Sequence, residues 1–143
     1  MLKIKKLLPL VAISLFLGCQ DTPKGGPAKI HWDRDMCDRC VMVLSDRKNS
    51  AQLQHPTTNK VYKFDDIGCM ILWFDEENID FKDSVKIWVT DVNTGEWIDA
   101  RKAFYTSENI TSMAFGFSAH ATKESIKSDE ETLTYDEVVK KIK

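Results

Sequence analysis

Seven residues, Met36-Cys37-Asp38-Arg39-Cys40-Val41-Met42, bring two thiols and two thioethers into one short segment. Sulfur at that density suits a polarisable ion of low charge. Cu(I) accepts thiolate and thioether ligands together, whereas calcium, magnesium and manganese seek oxygen. Its filled d shell imposes no strong coordination number, so two or three soft donors hold it and release it by ligand exchange. Thiolates supply charge and affinity, and thioethers add donors that need no deprotonation and form no disulfide. Cys37 and Cys40 also fit a Cys-x-x-Cys disulfide or redox pair. A thioredoxin-type motif opens a helix after a strand, however, and this one precedes the first predicted strand. A structural zinc site needs two further Cys or His ligands at recognisable spacing, and His31, His55 and His120 are scattered. No nucleophile, base and orienter arrangement marks a hydrolase, so the chain reads as a binding protein and not an enzyme.

The first cysteine of the motif, Cys37, lies 18 residues beyond Cys19. Lys3, Lys5 and Lys6 form a basic start, residues 7–17 an apolar run, and Gly18-Cys19 resembles the bacterial lipoprotein cleavage site. The run falls short of the roughly 20 apolar residues a membrane-spanning helix needs. Cleavage would leave Cys19 as the lipidated first residue. At about 0.8 kcal/mol per buried CH₂, a multi-chain anchor then holds the protein on a membrane of the cell envelope, facing the periplasm or extracytoplasmic space. The expected organisation is a signal peptide over 1–18, a lipidated tether over 19–29 and one binding domain over 30–143, long enough for a single core. A net charge of −2 without a basic patch excludes nucleic acid as a partner. Cys37, Cys40 and Cys69 are an odd number of thiols for an oxidising compartment, so a pure disulfide scaffold leaves one unpaired.

Behind the motif, residues 50–54 and 61–64 flank the turn-rich segment 55–60 and predict an antiparallel pair. Asp65 or Asp66 can cap a helix over 66–76, in which Ile67, Met70, Ile71 and Phe74 recur at helical spacing. Met70 falls to the core of that helix, and Cys69 reads as a small buried hydrophobe in it, with a metal ligand as the alternative. A strand over 85–90, a turn at 93–95 and a short return from Trp97 follow. The second half predicts strands at 103–105 and 114–119 and a short helix at 122–127. Thr134 and Glu137 make a capping box that opens a last helix. Phe64-Asp65-Asp66-Ile67 and Tyr135-Asp136-Glu137-Val138 share an aromatic, acid, acid, β-branched order at a displacement of 71 residues, which also relates Met42 to Met113. The expected fold is therefore α+β: two pseudo-repeated ββαβ-like units, about 30–93 and 94–143, with mainly antiparallel strands packed into one compact domain. Met42 and Met113 would meet between the halves.

With these residues the chain resembles the NosL family of lipoproteins, accessory copper chaperones for nitrous oxide reductase. The resemblance rests on the lipoprotein start, on Cys37-x-x-Cys40-x-Met42, on VYKFDDIGCMILW from Val61 to Trp73, and on Lys102-Ala103-Phe104-Tyr105 with Ile110-Thr111-Ser112-Met113. It implies two related ββαβ units, Cu(I) held by a cysteine and methionines, and delivery of copper outside the cytoplasm to the reductase or a similar copper enzyme. Carried over by position, the copper ligands are Cys40, Met42 and Met113, with Cys37 as an auxiliary or redox partner and Cys19 as the lipidation site. Val41 stands where a glycine is common, and Ser112 replaces a proline before Met113. An extracytoplasmic thiol-disulfide oxidoreductase using Cys37 and Cys40 remains the alternative function.

Overall fold

The computed structural model describes residues 25–143. The expected signal peptide, Cys19 and the first part of the tether lie outside the described residues. Strands β1 (Ala51–Gln54) and β2 (Val61–Phe64) form the expected hairpin, followed by helix α1 (Ile67–Glu76) and strand β3 (Ile87–Thr90). Strand β4 (Trp97–Asp99) returns along β3 and completes an antiparallel sheet of order β2-β1-β3-β4. A second antiparallel pair, β5 (Phe104–Thr106) and β6 (Ser118–His120), precedes the terminal helix α2 (Tyr135–Ile142). The domain is α+β, as the patterning predicts. Among the described residues no helix is long and apolar enough to cross a membrane.

α1 starts where Asp66, in extended backbone, accepts the Gly68 N–H and satisfies a donor that the first helical turn leaves free. Seven of its ten residues are buried, because the helix lies between the sheet and the second half of the chain. Phe64, Tyr62 and Phe74 cluster around Trp73, with ring centroids 4.7–5.7 Å apart. The central strand β1 is buried along its whole length. Its polar Gln52 is tolerated there because its amide exchanges two hydrogen bonds with the Ala28 backbone. Asp91 joins the two sheets: its carboxylate accepts the Asn93, Thr94 and Ala121 N–H groups, and a parallel bridge pairs Asp91 with Ala119. The capping box of α2 is formed as read, with Thr134 and Glu137 each satisfying the other's backbone N–H.

The structure departs from the sequence reading in the second half. Of the strand expected over 114–119 only its end forms, inside β6. Residues 107–117 are a loop clasped by Asn109, whose side-chain amide donates to the carbonyls of Thr106, Ser107 and Gly116. Positive φ values at Glu108, Ala114 and Gly116 are incompatible with a continuous strand. The helix expected at 122–127 shrinks to one tight turn, Lys123–Ser125. The matched tetrapeptides also play different parts: Phe64 ends a strand and Asp66 caps α1, whereas Tyr135 and Glu137 are already inside α2. The boundary near 93/94 further divides one sheet, since β4 pairs with β3.

Candidate metal centre

The motif folds as a closed loop. Met36 and Val43 pair as an antiparallel bridge, the Cys37 N–H donates to the Met42 carbonyl at 2.8 Å, and the Val41 N–H donates to the Cys37 carbonyl at 3.0 Å. Asp38 docks the loop onto the exposed edge of β2: its N–H donates to the Lys63 carbonyl at 2.8 Å, and its carboxylate accepts the Lys63 N–H at 2.6 Å. Two further ion pairs secure the loop. Arg39 makes a two-pronged contact with Glu76 at 2.8 Å on both arms, and Lys63 reaches Asp35 at 2.6 Å.

This docking sets the loop against the junction of β2 and α1. One donor atom each from Cys37, Cys40, Cys69 and Asp65 lies within 4.8 Å of every other. The Cys40 thiol faces the Asp65 carboxylate at 3.4 Å, and an Arg39 nitrogen lies 3.8 Å from the Cys69 sulfur. Cys69 is buried in α1, as the sequence predicts, but its sulfur points into the cysteine group instead of serving only as core. The fourth member, Asp65, the sequence reading treats only as a possible helix cap.

The three thiols are electrostatically distinct. Cys37 accepts the Cys69 S–H and, against the cost of burial, the backbone N–H groups of Cys40, Asp65 and Arg39, which together hold its pKa at about 6. Burial first, then the neighbouring Cys37 and Asp65 charges, push Cys40 up to about 11. Cys69 is also pushed up, because it is the proton donor to Cys37 and is buried. The centre thus carries one thiolate at neutral pH with two protonated thiols beside it.

The two methionines of the sequence reading lie on two different loops. Met42 is half-exposed at the outer edge of the cysteine loop, and its N–H points at the Cys40 sulfur. Met113 packs partly against the core on the loop 107–117, where its N–H faces the Asp66 carboxylate. Asp66 accepts the Thr111 hydroxyl at 2.5 Å, so the residue that caps α1 and follows Asp65 also ties down the Met113 loop. Phe115 of the same loop lies on Gly68, where a Cβ would come within 2.1 Å of the ring. The loop that carries Met113 is thus held at the start of α1 through Asp66 and Gly68. The histidines have local partners instead: His31 bonds Asp35, His55 accepts the Thr57 and Thr58 N–H groups, and buried His120 contacts Thr106. Met70 is fully buried core.

Val41, between Cys40 and Met42, has φ +61°. A left-handed conformation costs an ordinary L-residue about 1–2 kcal/mol and is a true outlier for a β-branched one. Glycine would remove that strain at a cost of about 0.5–1 kcal/mol in chain entropy. Val41→Gly is expected to stabilise the fold by about 0.5–1 kcal/mol, read as a higher urea midpoint at unchanged slope. A lower midpoint would show that the isopropyl group holds the loop.

The sequence model of the NosL family matches residues 27–129. Among solved structures, this fold is similar to the crystal structure of the copper chaperone NosL from Shewanella denitrificans. That match has a TM-score of 0.59 and 18% identity, over 78% of this chain and 94% of that one. No match was found among curated proteins.

Proposed function

Since the chain belongs to the NosL family, we propose that it is an extracytoplasmic Cu(I) metallochaperone, anchored to a membrane by lipid on Cys19, that delivers copper to nitrous oxide reductase or a similar copper enzyme. Residues 1–18 are its signal peptide, 19–29 its tether and 30–143 its copper-binding domain. The observation that carries the reading is the meeting of three cysteine donors, and one from Asp65, within 4.8 Å. Copper is the cargo. Cys40, Met42 and Met113 bind it with Cys37 as the auxiliary thiolate, and the position of Cys69 adds its sulfur to the set.

Cys37 is ionised before the ion arrives, so it supplies the first charge without deprotonation at neutral pH. Half-exposed Met42 supplies a neutral soft donor at the rim, suited to ligand exchange with a donor or acceptor protein. The oxidoreductase alternative is less well supported by the same geometry. A redox nucleophile needs an accessible low-pKa thiolate. Here the low-pKa thiol is Cys37, which is 2% exposed, and the more accessible Cys40 has the raised value.

The test is a competitive Cu(I) titration of the reduced full-length chain under anaerobic conditions, wild type against Met113→Leu. One tightly bound Cu(I), weakened about tenfold or more in the variant, is the expected result. Tight binding that ignores the substitution would remove Met113 from the site. No binding beyond that of the competitor would overturn the chaperone reading.

A further inference from the structure

We propose that the end of the sheet formed by the β1–β2 turn, residues 55–60, faces the lipid surface to which the chain is anchored, and that the cysteine centre is thereby held pointing away from it. This rests on the reading of Cys19 as the lipidated residue. It adds a face of the domain and that face's occupant, the headgroup layer of the anchoring membrane.

The last part of the tether is laid across the sheet and does not hang free. The Gly25 N–H donates to the Gln54 side chain at 3.3 Å, and the Ala28 backbone exchanges two hydrogen bonds with the Gln52 amide at 2.9 and 3.1 Å. Ala28 and Ile30 are buried. Traced backwards from Ala28 to Gly25, the chain moves along β1 from Gln52 to Gln54, toward the turn. Gln54 also donates to the Asn59 carbonyl at 3.1 Å, so one side chain ties Gly25 to the turn itself.

Length decides the orientation. Six residues, 19–24, link the lipidated cysteine to Gly25. At 3.3–3.6 Å per residue they reach about 20–22 Å when fully extended. The cysteine centre lies at the opposite end of β2, where Asp38 bonds Lys63 and Asp65 follows the strand. At a rise of about 3.3 Å per residue, Asp65 is roughly 20 Å from Asn59. To turn the centre toward the lipid, the link would have to run the length of the strand fully extended, with no residue left to reach the headgroups. With the turn facing the lipid it keeps its conformational freedom, so chain entropy favours that side.

The face suits this occupant. Lys60 and Lys86 stand at this end of the sheet, their ammonium groups 4.6 Å from the Tyr62 ring and 5.4 Å from the Trp88 ring. Lys86 comes beside Gln54, one position beyond the Leu53–Ile87 pair. Among the described residues neither lysine forms an ion pair, so both are free to meet lipid phosphates. Phe81 packs on His55 at 4.4 Å and brings Asp80 and Asp83 into the neighbouring segment. Charge is therefore a bias, and the short link is the main constraint. By holding the face at high local concentration over the membrane, the link makes weak contacts count. A copper-exchanging partner then meets the centre from the solvent side of the domain.

The experiment places the isotope-labelled, lipidated chain in nanodiscs of phosphatidylethanolamine and phosphatidylglycerol doped with a gadolinium-chelating lipid, and reads amide relaxation enhancement residue by residue. Enhancement falls with the sixth power of distance, so residues 55–60 and Lys86 should exceed residues 36–42 by about tenfold or more. A Gly-Ser insert of about twelve residues after Thr22 should bring the two regions within about twofold of each other. Lys60→Glu with Lys86→Glu should reduce the contrast by about threefold with the amide spectrum otherwise kept. Equal enhancement of both regions in the wild type, or a larger one at 36–42, would overturn the proposal. Changes at 55–60 that follow protein concentration and persist without the gadolinium lipid would assign the face to a second copy and overturn it too. A mature chain without acyl mass on Cys19 would sink the anchored reading together with this one, whereas Cu(I) titration of the same sample decides the chaperone reading separately.

Discussion

Cys69→Ala and Cys69→Ser are both expected to lower Cu(I) affinity by about 100-fold or more. Loss of an outer-shell partner already costs 10–100-fold, and removal of a soft ligand costs at least the upper end of that range. The two variants separate what the sulfur binds from what its proton does. Cys37 owes its value of about 6 first to the Cys69 S–H and then to three backbone N–H groups, with burial opposing. Alanine donates nothing, so Cys37 should titrate well above 6 and nearer its ordinary 9.0. Serine still donates a proton, so the low value should persist while copper affinity falls. Ultraviolet thiolate absorbance against pH reads the first effect, and competitive titration the second. If serine restores copper binding, Cys69 orients Cys37 and is not itself a ligand.

The same assignment gives the sign of the pH dependence. Between about 6 and about 11 Cys37 is ionised while Cys40 and Cys69 hold their protons. Cu(I) bound by all three must then release about two protons, and affinity must rise with pH across that window. In Cys69→Ser the release should fall to about one. Calorimetry in buffers of different ionisation enthalpy counts the protons.

Asp66→Ala is expected to cost about 3–4 kcal/mol of stability, the largest loss foreseen for a single polar side chain in this fold. The carboxylate is fully buried and serves two donors, the Gly68 N–H at 3.0 Å and the Thr111 hydroxyl at 2.5 Å, with the Met113 N–H facing it. Loss of the cap costs about 1 kcal/mol. Each buried donor left without an acceptor adds about 1–3 kcal/mol, reduced where Thr111 can turn or water can reach the gap. Asp66→Asn keeps an acceptor for the cap and should lose clearly less. Urea unfolding measures both, and a loss under about 1 kcal/mol in the alanine variant would show that the Met113 loop is held from elsewhere. The damage should extend to copper, because the loop carrying Met113 loses the Thr111 bond that ties it to the start of α1.

What the sequence by itself determined is local. Alternation in residues 50–54 and 61–64, the helical spacing of Ile67, Met70, Ile71 and Phe74, and the Thr134-Glu137 box each act within a few residues. The elements they predict formed within a residue or two of their expected bounds, the strand over 85–90 two residues shorter at its start. The soft-sulfur loop was legible for the same reason, since Cys37 and Cys40 need only a tight turn to face one way. Val41, read as a residue in place of glycine, has the positive φ that makes glycine suitable.

The tertiary structure alone decided the rest. Helical spacing puts Cys69 on a buried face but does not reveal what lies opposite. Its sulfur meets Cys37 because Asp38 and Lys63, 25 residues apart, exchange hydrogen bonds that lay the loop over the β2–α1 junction. Asp65 and Asp66 are adjacent acids with one local signature, yet the chain direction at the strand end turns one toward the thiols and the other toward Thr111 and the Gly68 N–H. Residues 107–117 have strand-compatible side chains, but the Asn109 clasp satisfies the backbone carbonyls in another way and bends the segment into a loop. Periodicity and caps report on neighbours along the chain, whereas convergence of donors depends on hydrogen bonds between distant segments.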